Sequence, residues 1–545
     1  MSIRLKIGKL HPENVLSTQL KQIRLRLLVL IVAFMSAFIM IQIRLVDVMV
    51  LQSDRLGNAG QLCVTERMDR GKILDKHGNV IATTLITASL YVNPKMILDP
   101  VDTAKQLAAT FSDLTFENVY KKLTADKGFV WLKRNLSPQD QQRVLELGLP
   151  GLDFQYEKKR IYPQGNLFSH VIGATDVDGN GVAGIEKQFD VALKTAQQDV
   201  QLSLSLPIQH VLHDELKQSI QKFRAEGGSA VVISIKTGQV LGMVSAPDFD
   251  PNNPKTMTAA NAFNRNTLGV YELGSIMKLL NTALFLQHGN GDARTVFDAT
   301  HPLKLGRFTI KDYRGGERRP LSVEEIFFHS SNVGSALMAL SVGPEKQMAF
   351  LRDIGLFDKP SIELPEKGKP LIPAKHTKAS CITIAFGHGL AATPIQFMQS
   401  ITNLLTGKTL PLSLLEHPDR TQDQAHDATL FSFKNKQVLC GLMQKVLEEG
   451  TAKKAKVQGY LIGGKTGTAE LIKNGRYLKD GKNLTSFVGV FPIDNPQYLV
   501  FATLDQPQAI EGTYGFTAAG WNAAPLGGSI ISRIAPMLGV EPIFE

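Results

Sequence analysis

The residues with the most evident chemistry are a serine and a lysine three positions apart, Ser275 and Lys278. Because positions i and i+3 lie on the same face of a helix, we expect Lys278 to lie beside the Ser275 hydroxyl. A serine becomes a nucleophile when a base removes its proton, and a lysine kept neutral by burial can be that base. Gly274 can make a tight turn just before the serine. The pair predicts acyl transfer through a covalent serine intermediate, although about one or two such matches arise by accident in a chain of this length.

A second motif, Ser330-Ser331-Asn332, offers two hydroxyls and an amide. Serine and asparagine also cap helices and make turns, and for this motif taken alone that structural role is the better explanation. A catalytic role for Ser330 and Asn332 therefore depends on the other motifs.

A third motif, Lys465-Thr466-Gly467-Thr468, lies in a segment that predicts a strand, residues 461–471. On a strand Thr466 and Thr468 share a face, so two hydroxyls can meet one carboxylate. Gly467 would let a substrate backbone come close, and Lys465 would supply positive charge. Such a four-residue match arises by chance in roughly one chain in a hundred.

The segments around these motifs predict the elements that hold them. A helix is expected from Pro207, because apolar residues recur at helical spacing as far as Phe223. A closing helix is expected around 530–538. Strands are expected at 230–235, 239–245, 461–471, 487–491 and 498–504. Two strands early and three late, with helices between them and at both ends, predict one antiparallel sheet flanked by helices.

The segment that precedes this sheet has a different character, with short alternating stretches separated by turn signals. Residues 70–79 predict a strand, a glycine-centred turn and a second strand, and residues 137–147 predict a short helix. Residues 176–184 predict a loop that lacks the ligand spacing and closing glutamate of a calcium site. The expected fold class is α+β, with a mixed β-rich domain before the domain that contains the sheet.

The start of the chain predicts a membrane anchor. Residues 1–26 carry six Lys or Arg and one acid, and residues 27–43 carry no charge. Seventeen uncharged, mostly apolar residues just cross a hydrocarbon core when flanking arginines snorkel. A buried core helix and a cleaved signal peptide are the alternatives, but no small-x-small cleavage site follows. We expect a single-pass anchor over 27–46, with the basic tail in the cytoplasm and the remainder outside.

Composition excludes several other classes. The chain has 545 residues, 43% of them hydrophobic and 20% charged, which is ordinary globular usage for two to four domains. Three distant cysteines exclude a disulfide scaffold and a Cys-rich zinc site, and we expect Cys381 and Cys440 to be buried thiols. No histidine pair has metal-ligand spacing, so neither a metal nor a cofactor is expected. No basic block is interleaved with aromatics, so no nucleic-acid partner is expected.

The order S-x-x-K, S-x-N and K-T-G on an exported chain is typical of penicillin-binding proteins and serine β-lactamases. Over nearly its whole length the sequence resembles class B penicillin-binding proteins, most closely the FtsI-type septal D,D-transpeptidase. The motifs that carry this resemblance outside the three catalytic ones are residues 70–73 (RGKI), 160–165 (RIYPQG), 181–186 (GVAGIE), 387–389 (GHG), 393–396 (TPIQ), 475–477 (GRY), 486–489 (SFVG) and 505–507 (DQP). The family usually has proline where this chain has Leu273, and often where it has Leu279; neither position supplies a catalytic group.

The resemblance implies a reaction. Ser275 would attack the carbonyl of the penultimate D-alanine of a peptidoglycan stem peptide, and Lys278 would take its proton. Ser330 would relay the proton between Lys278 and Lys465 as the terminal D-alanine leaves. An amine from a neighbouring stem would then resolve the acyl-enzyme into a cross-link without a cofactor. The activity is a serine-type D-Ala-D-Ala transpeptidase or carboxypeptidase, and β-lactams would acylate the same serine.

The resemblance also implies binding roles. Asn332 would hold the substrate amide, and Thr466 and Thr468 its terminal carboxylate, on the strand that carries Gly467. Backbone N–H groups of Ser275 and Thr468 would form the oxyanion hole.

The same resemblance implies four segments and a location. The segments are a cytoplasmic tail (1–26), an anchor (27–46), a pedestal of the dimerisation type (47–205) and a transpeptidase domain (206–545). The catalytic domain would lie in the periplasm, held at the inner membrane. Partners would be stem peptides, an FtsW-type glycan polymerase and other division membrane proteins.

Several alternatives share part of this pattern. An elongation-type class B transpeptidase and a catalytically weak division scaffold fit the same motifs. A β-lactamase would need neither anchor nor pedestal, a β-lactam sensor would have several membrane spans, and a bifunctional class A enzyme would need a longer glycosyltransferase domain. Within the pedestal, we expect Arg70, Arg160 and Glu186 to form ion pairs rather than to act in catalysis.

Overall fold

A computed structural model describes residues 25, 28–42, 70–195, 198–306, 308–416, 430–473, 476–477 and 482–543. The chain divides into two compact units, residues 1–69 and 70–545. Most of the predicted tail, the two ends of the predicted anchor and the first residues of the predicted pedestal lie outside the described residues, as does Cys63.

The described part of the first unit is helical over residues 28–42. Its apolar side chains are exposed; Phe34, for example, is 75% exposed. Among the described residues, no helix has both the length and the hydropathy needed to cross a bilayer.

The second unit begins with the pedestal, a mixed sheet with short helices. Its strands are β1 (Ile73–Leu74), β2 (Val80–Val92), β3 (Val130–Leu136), β4 (Leu152–Ile161), β5 (Ala174–Thr175), β6 (Gly181–Ala183) and β7 (Val200–Gln201). Its helices are α1 (Pro100–Thr110), α2 (Phe116–Leu123), α3 (Pro138–Glu146), α4 (Ser169–Ile172), α5 (Gly184–Gln188) and α6 (Asp190–Thr195). The predicted strand–turn–strand is β1 and β2, which pair antiparallel. The predicted short helix is α3, which begins where the Ser137 hydroxyl accepts a hydrogen bond from the Asp140 N–H.

A buried ion network ties the pedestal together. The Glu186 carboxylate is fully buried and lies 2.6 Å from the Arg70 guanidinium and 2.7 Å from that of Arg160. Arg70 also reaches Asp190 at 2.7 Å. The prediction that Arg70, Arg160 and Glu186 form ion pairs is therefore confirmed.

The remainder of the second unit carries the predicted antiparallel sheet. Its strands are β8 (Gly227–Ser234), β9 (Val240–Ala246), β10 (Val296–Asp298), β11 (Leu303–Leu305), β12 (Phe308–Ile310), β13 (Pro320–Ser322), β14 (Gly463–Glu470), β15 (Ile472–Lys473), β16 (Arg476–Tyr477), β17 (Asn483–Phe491) and β18 (Tyr498–Asp505). Its helices are α7 (Leu206–Phe223), α8 (Met277–His288), α9 (Val323–His329), α10 (Asn332–Val342), α11 (Pro344–Asp353), α12 (Lys378–Ala385), α13 (Pro394–Thr406), α14 (Phe433–Glu448) and α15 (Ala523–Met537).

The five main strands lie in the order β14-β17-β18-β8-β9, and every neighbouring pair is antiparallel. A β-carbon added at Gly489 would contact Ile531 of α15, and one at Gly242 would contact Leu212 of α7, so these helices cover one face. The ring of Phe501, which points to the opposite face, packs 6.0 Å from Phe397 of α13. The sheet is therefore buried between helices as predicted, and β14 is an edge strand.

Candidate active site

The predicted nucleophile lies on a tight turn held against the edge strand. Gly274 has φ +56°, and a β-carbon there would lie 2.5 Å from the Thr468 carbonyl oxygen, so a side chain at this position would clash. Ser275 follows in a single 3-10 turn, half-buried, directly before α8 begins. The turn thus presents the serine at the edge of the sheet.

The hydrogen bonds of Lys278 run to the second motif. Its side chain is only 1% exposed, and its Nζ donates to the Ser330 carbonyl oxygen at 2.5 Å, to the Ser330 Oγ at 3.1 Å and to the Asn332 Oδ1 at 2.7 Å. All three oxygen partners of this buried nitrogen thus come from the second motif. The i, i+3 spacing predicted the right helix face but not the partners of the lysine.

The environment of Lys278 favours its neutral form. Burial lowers the pKa of Lys278 well below its usual range, and the nearby charge of Lys465 lowers it further, while Asp312 opposes the shift. A neutral amine is what a general base requires.

Ser330 is fixed between two helices. It ends α9 with a left-handed backbone, φ 58°, which a non-glycine residue seldom adopts. Ser331 then caps α10 by accepting a hydrogen bond from the Gly334 N–H at 2.9 Å. The capping explanation of the motif is thus correct for Ser331, whereas Ser330 and Asn332 face Lys278.

Asp312 is a residue of this site that the sequence did not reveal. Its Oδ1 accepts from the N–H groups of Asn332 and Val333 at 2.5 and 2.9 Å, and its Oδ2 accepts from the Ser331 hydroxyl at 2.8 Å. It therefore holds the second motif in place and is the carboxylate that acts on the pKa of Lys278. A lone aspartate in a loop, 19 residues before its partner, carries no spacing signal.

The third motif brings a second lysine to the same hydroxyl. Lys465 is fully buried on β14, and its Nζ donates to the Ser330 Oγ at 3.0 Å. Burial lowers the pKa of Lys465 to about 7. Ser330 therefore has two amine nitrogens within hydrogen-bond distance.

The other residues of β14 differ in their roles. The Thr468 Oγ1 accepts from the Ala519 N–H at 3.1 Å, which leaves its own hydroxyl hydrogen free to donate to a ligand. The Thr466 hydroxyl bonds the Thr451 hydroxyl at 2.9 Å. A β-carbon on Gly467 would lie 2.6 Å from the Leu273 carbonyl oxygen, so the glycine admits the serine turn of this same chain. The close approach of a substrate backbone at Gly467 stays a prediction.

Glu272 joins three segments around the serine, which the sequence also did not reveal. Its carboxylate accepts from the Gly389 N–H at 2.7 Å and from the Tyr477 hydroxyl at 3.1 Å. The Tyr477 ring lies 6.0 Å from that of His388. The serine turn, the 387–389 segment and the β15–β16 hairpin are thus tied to one carboxylate. Leu273, at the position where the family usually has proline, is buried in the core.

The two cysteines that the structure describes lie outside this arrangement. Cys381 and Cys440 are buried free thiols, as predicted, and burial raises the pKa of each to about 11. Neither thiol is therefore activated as a nucleophile.

Comparison with known proteins agrees with this geometry. Residues 228–526 match the penicillin binding protein transpeptidase domain, and residues 65–205 match the penicillin-binding protein dimerisation domain. The chain is 33% identical to a probable peptidoglycan D,D-transpeptidase FtsI of Caulobacter vibrioides over 500 residues, 89% of this chain and 84% of that one. It is 28% identical to stage V sporulation protein D of Bacillus subtilis over 569 residues, 95% of this chain and 87% of that one.

Solved structures share the fold. Penicillin binding protein 3 of Mycobacterium tuberculosis, solved in complex with aztreonam, matches with a TM-score of 0.68 at 23% identity, over 87% of this chain and 97% of that one. The transpeptidase domain alone covers more than half of the sequence. The edge of its sheet carries the four residues of the three motifs, Ser275, Lys278, Ser330 and Lys465. The chain therefore belongs to the penicillin-binding protein transpeptidase family, as a class B member.

Proposed function

We propose that this protein cross-links peptidoglycan stem peptides at the division septum through an acyl-enzyme on Ser275. The observation that carries the proposal is the placement of one hydroxyl, Ser330 Oγ, within hydrogen-bond distance of two buried lysines, Lys278 and Lys465. Such an arrangement can move a proton without bulk water.

The first half-reaction needs a base and then an acid. Neutral Lys278 takes the Ser275 proton while the hydroxyl oxygen attacks the penultimate D-alanine carbonyl. The peptide C–N bond breaks, and the proton reaches the leaving D-alanine nitrogen from Lys278 through Ser330. Lys465, whose pKa is about 7, exchanges protons with Ser330 at neutral pH.

Substrate binding uses the groups that remain free. Thr468 keeps a hydroxyl hydrogen for the terminal carboxylate of the donor peptide, and Thr466 lies two positions away on the same strand face. The Asn332 Oδ1 accepts from Lys278, and one N–H of its amide donates to the Lys311 carbonyl oxygen. Its second N–H is therefore available for a substrate amide. Backbone N–H groups of Ser275 and Thr468 form the oxyanion hole.

The test of the chemistry is covalent labelling with penicillin. Wild-type protein should carry an adduct on Ser275 in peptide mass spectrometry, and Ser275→Ala should carry none while melting at the same temperature. Lys278→Ala should also fail to acylate. An adduct on another serine would overturn the assignment, and absence of labelling in the wild type would favour a scaffold without catalysis.

The proposed location of this activity is the division septum. It is supported by the resemblance of the motifs at 475–477, 486–489 and 505–507 to the division enzyme and by the FtsI relative. An FtsW-type glycan polymerase is the partner that such a role requires. Depletion should produce filaments with unfinished septa; round or swollen cells would indicate the elongation type.

We also propose the four segments 1–26, 27–46, 47–205 and 206–545, with the protein anchored once in the inner membrane and its catalytic domain in the periplasm. The support is the uncharged run at 27–43 behind a basic tail, and the limits of the two matched domains, 65–205 and 228–526. The full chain should remain in the membrane fraction after alkaline carbonate extraction and be digested by protease added to spheroplasts. Extraction by carbonate would contradict the anchor.

A further inference from the structure

A cavity with a basic lining lies beside the second motif. Its volume is about 600 Å³, and its walls include His301, Lys311, Asp312, Arg318 and Val333. A cavity of this size accommodates a ligand of a few amino-acid residues.

The cavity shares its wall with the catalytic centre. The Asn332 amide donates to the Lys311 carbonyl oxygen at 3.1 Å, and the N–H groups of Asn332 and Val333 donate to Asp312. The other end of the Asn332 side chain accepts from Lys278. One asparagine thus separates the general base from the cavity.

The charge of the cavity is positive and unbalanced. Its lining includes two cationic residues, Lys311 and Arg318, and one acid, Asp312. The Asp312 carboxylate is already occupied by the Ser331 hydroxyl and two N–H groups, and Glu317 lies within 4.0 Å of Arg319. Within the part of the chain that the structure describes, no acid pairs with Lys311 or Arg318.

We propose that this cavity binds a carboxylate of the acceptor stem peptide, with Arg318 and Lys311 as its cationic contacts. The inference rests on the proposed function. The carboxylate of the donor peptide is assigned to Thr466 and Thr468 on β14. A second site that binds a carboxylate near the catalytic centre therefore fits the second substrate. Guanidinium and ammonium groups are the natural partners of a carboxylate.

Binding there prepares the second half-reaction. The acceptor amine nitrogen attacks the ester carbonyl carbon on Ser275, a C–N bond forms, and the bond from that carbon to the serine oxygen breaks. The amine proton passes through Lys278 to the serine oxygen, which restores both groups. An acceptor held by its carboxylate competes better with water for the ester.

The experiment compares two small acceptors on the full-length protein. The acyl-enzyme is formed from a thioester donor and partitioned between water and either glycine or glycinamide, which differ only in the carboxylate. The measured quantity is the ratio of the two aminolysis rate constants. Arg318→Gln should lower the glycine-to-glycinamide ratio by about tenfold relative to the wild type, the loss expected for one charge-assisted hydrogen bond.

The neighbouring Arg319→Gln is the matched control. It removes the same charge from the adjacent position, where the side chain bonds Glu325 at 2.8 Å and does not line the cavity, so the ratio should not change. Arg318→Lys should restore part of the ratio. An unchanged ratio in Arg318→Gln, or an equal loss in both glutamine variants, would overturn the inference.

Two further measurements distinguish failure of the acceptor site from failure of the proposed function. Penicillin acylation of the wild type tests the proposed function separately: without acylation that function fails, and with acylation but no ratio change only the acceptor site fails. If Arg318→Gln does not fold, Lys311→Gln provides the same comparison, and an unchanged ratio there would also overturn the inference.

Discussion

Lys278 and Lys465 meet at one atom, the Ser330 hydroxyl oxygen, which they approach to 3.1 and 3.0 Å from a helix and from a strand. Both side chains are buried, and burial disfavours two positive charges so close together. The two amines together therefore carry less than their full charge of +2 near neutral pH. Their pKa values depend on each other, so a change at one lysine should be visible in the behaviour of the other.

The first prediction concerns the pH dependence of penicillin acylation. Acylation needs neutral Lys278, so its rate falls as the pH drops through the pKa of that lysine. The charge of Lys465 lowers this pKa, so Lys465→Met should raise it and move the rising limb of the profile to higher pH. Asp312 raises the pKa of Lys278, so Asp312→Asn should move the rising limb of the profile to lower pH.

Acylation rate constants measured over the whole pH range in which the protein stays folded would resolve both shifts of the rising limb. Asparagine at 312 keeps an oxygen for the N–H groups of Asn332 and Val333, so the second motif should stay in place. Shifts of both variants in the same direction would refute the electrostatic coupling.

The second prediction concerns Thr468. Thr468→Val should slow acylation by roughly 10–150-fold, because it removes a hydroxyl hydrogen bond to a charged carboxylate. Thr468→Ser keeps that hydroxyl and the acceptor for the Ala519 N–H, and should acylate close to the wild-type rate. Valine keeps the β-branched shape that suits the strand. Equal acylation rates in the two variants would show that the hydroxyl does not bind substrate.

Sequence patterns predicted the helices and strands that carry the motifs well, but the hydrogen bonds between those elements poorly. The K-T-G strand is predicted at 461–471 and lies at Gly463–Glu470. It could be predicted because alternation and glycine are local signals. Lys278 was placed on the right helix, but its bonds run to Ser330 and Asn332, more than fifty residues away. Such contacts depend on how the helices pack, and no spacing rule within one helix encodes them.

The same limit explains the residues that were missed. Glu272 stands directly before the serine turn, yet its partners come from segments 117 and 205 residues away. Asp312 lies in a loop with no periodicity. A single acid has no pattern of its own, and its role appears only when the fold brings donors to it.

The third prediction concerns the stability of the pedestal. Glu186→Gln should lower the free energy of unfolding by about 3–5 kcal/mol, because it leaves the buried guanidinium of Arg160 without a counter-charge and that of Arg70 with Asp190 alone. Asp190→Asn is the control: Asp190 bonds the same Arg70 but is partly exposed, so its loss should cost much less. Thermal denaturation measures both. Equal destabilisation by the two variants would contradict the role of the buried carboxylate.

The last prediction concerns the Tyr477 hydroxyl, which ties the β15–β16 hairpin to Glu272 beside the serine turn. Tyr477→Phe removes this one hydrogen bond and keeps the ring beside His388. Because Tyr477 is partly exposed, the loss should slow penicillin acylation by up to about tenfold with little change in melting temperature. Tyr498→Phe is the matched control. Tyr498 lies on β18, away from the hairpin, and its hydroxyl donates to the Leu538 carbonyl oxygen at 3.2 Å. It should lower the melting temperature slightly and leave acylation unchanged. If Tyr477→Phe acylates at the wild-type rate, the hairpin does not need its tether to Glu272 to support the serine.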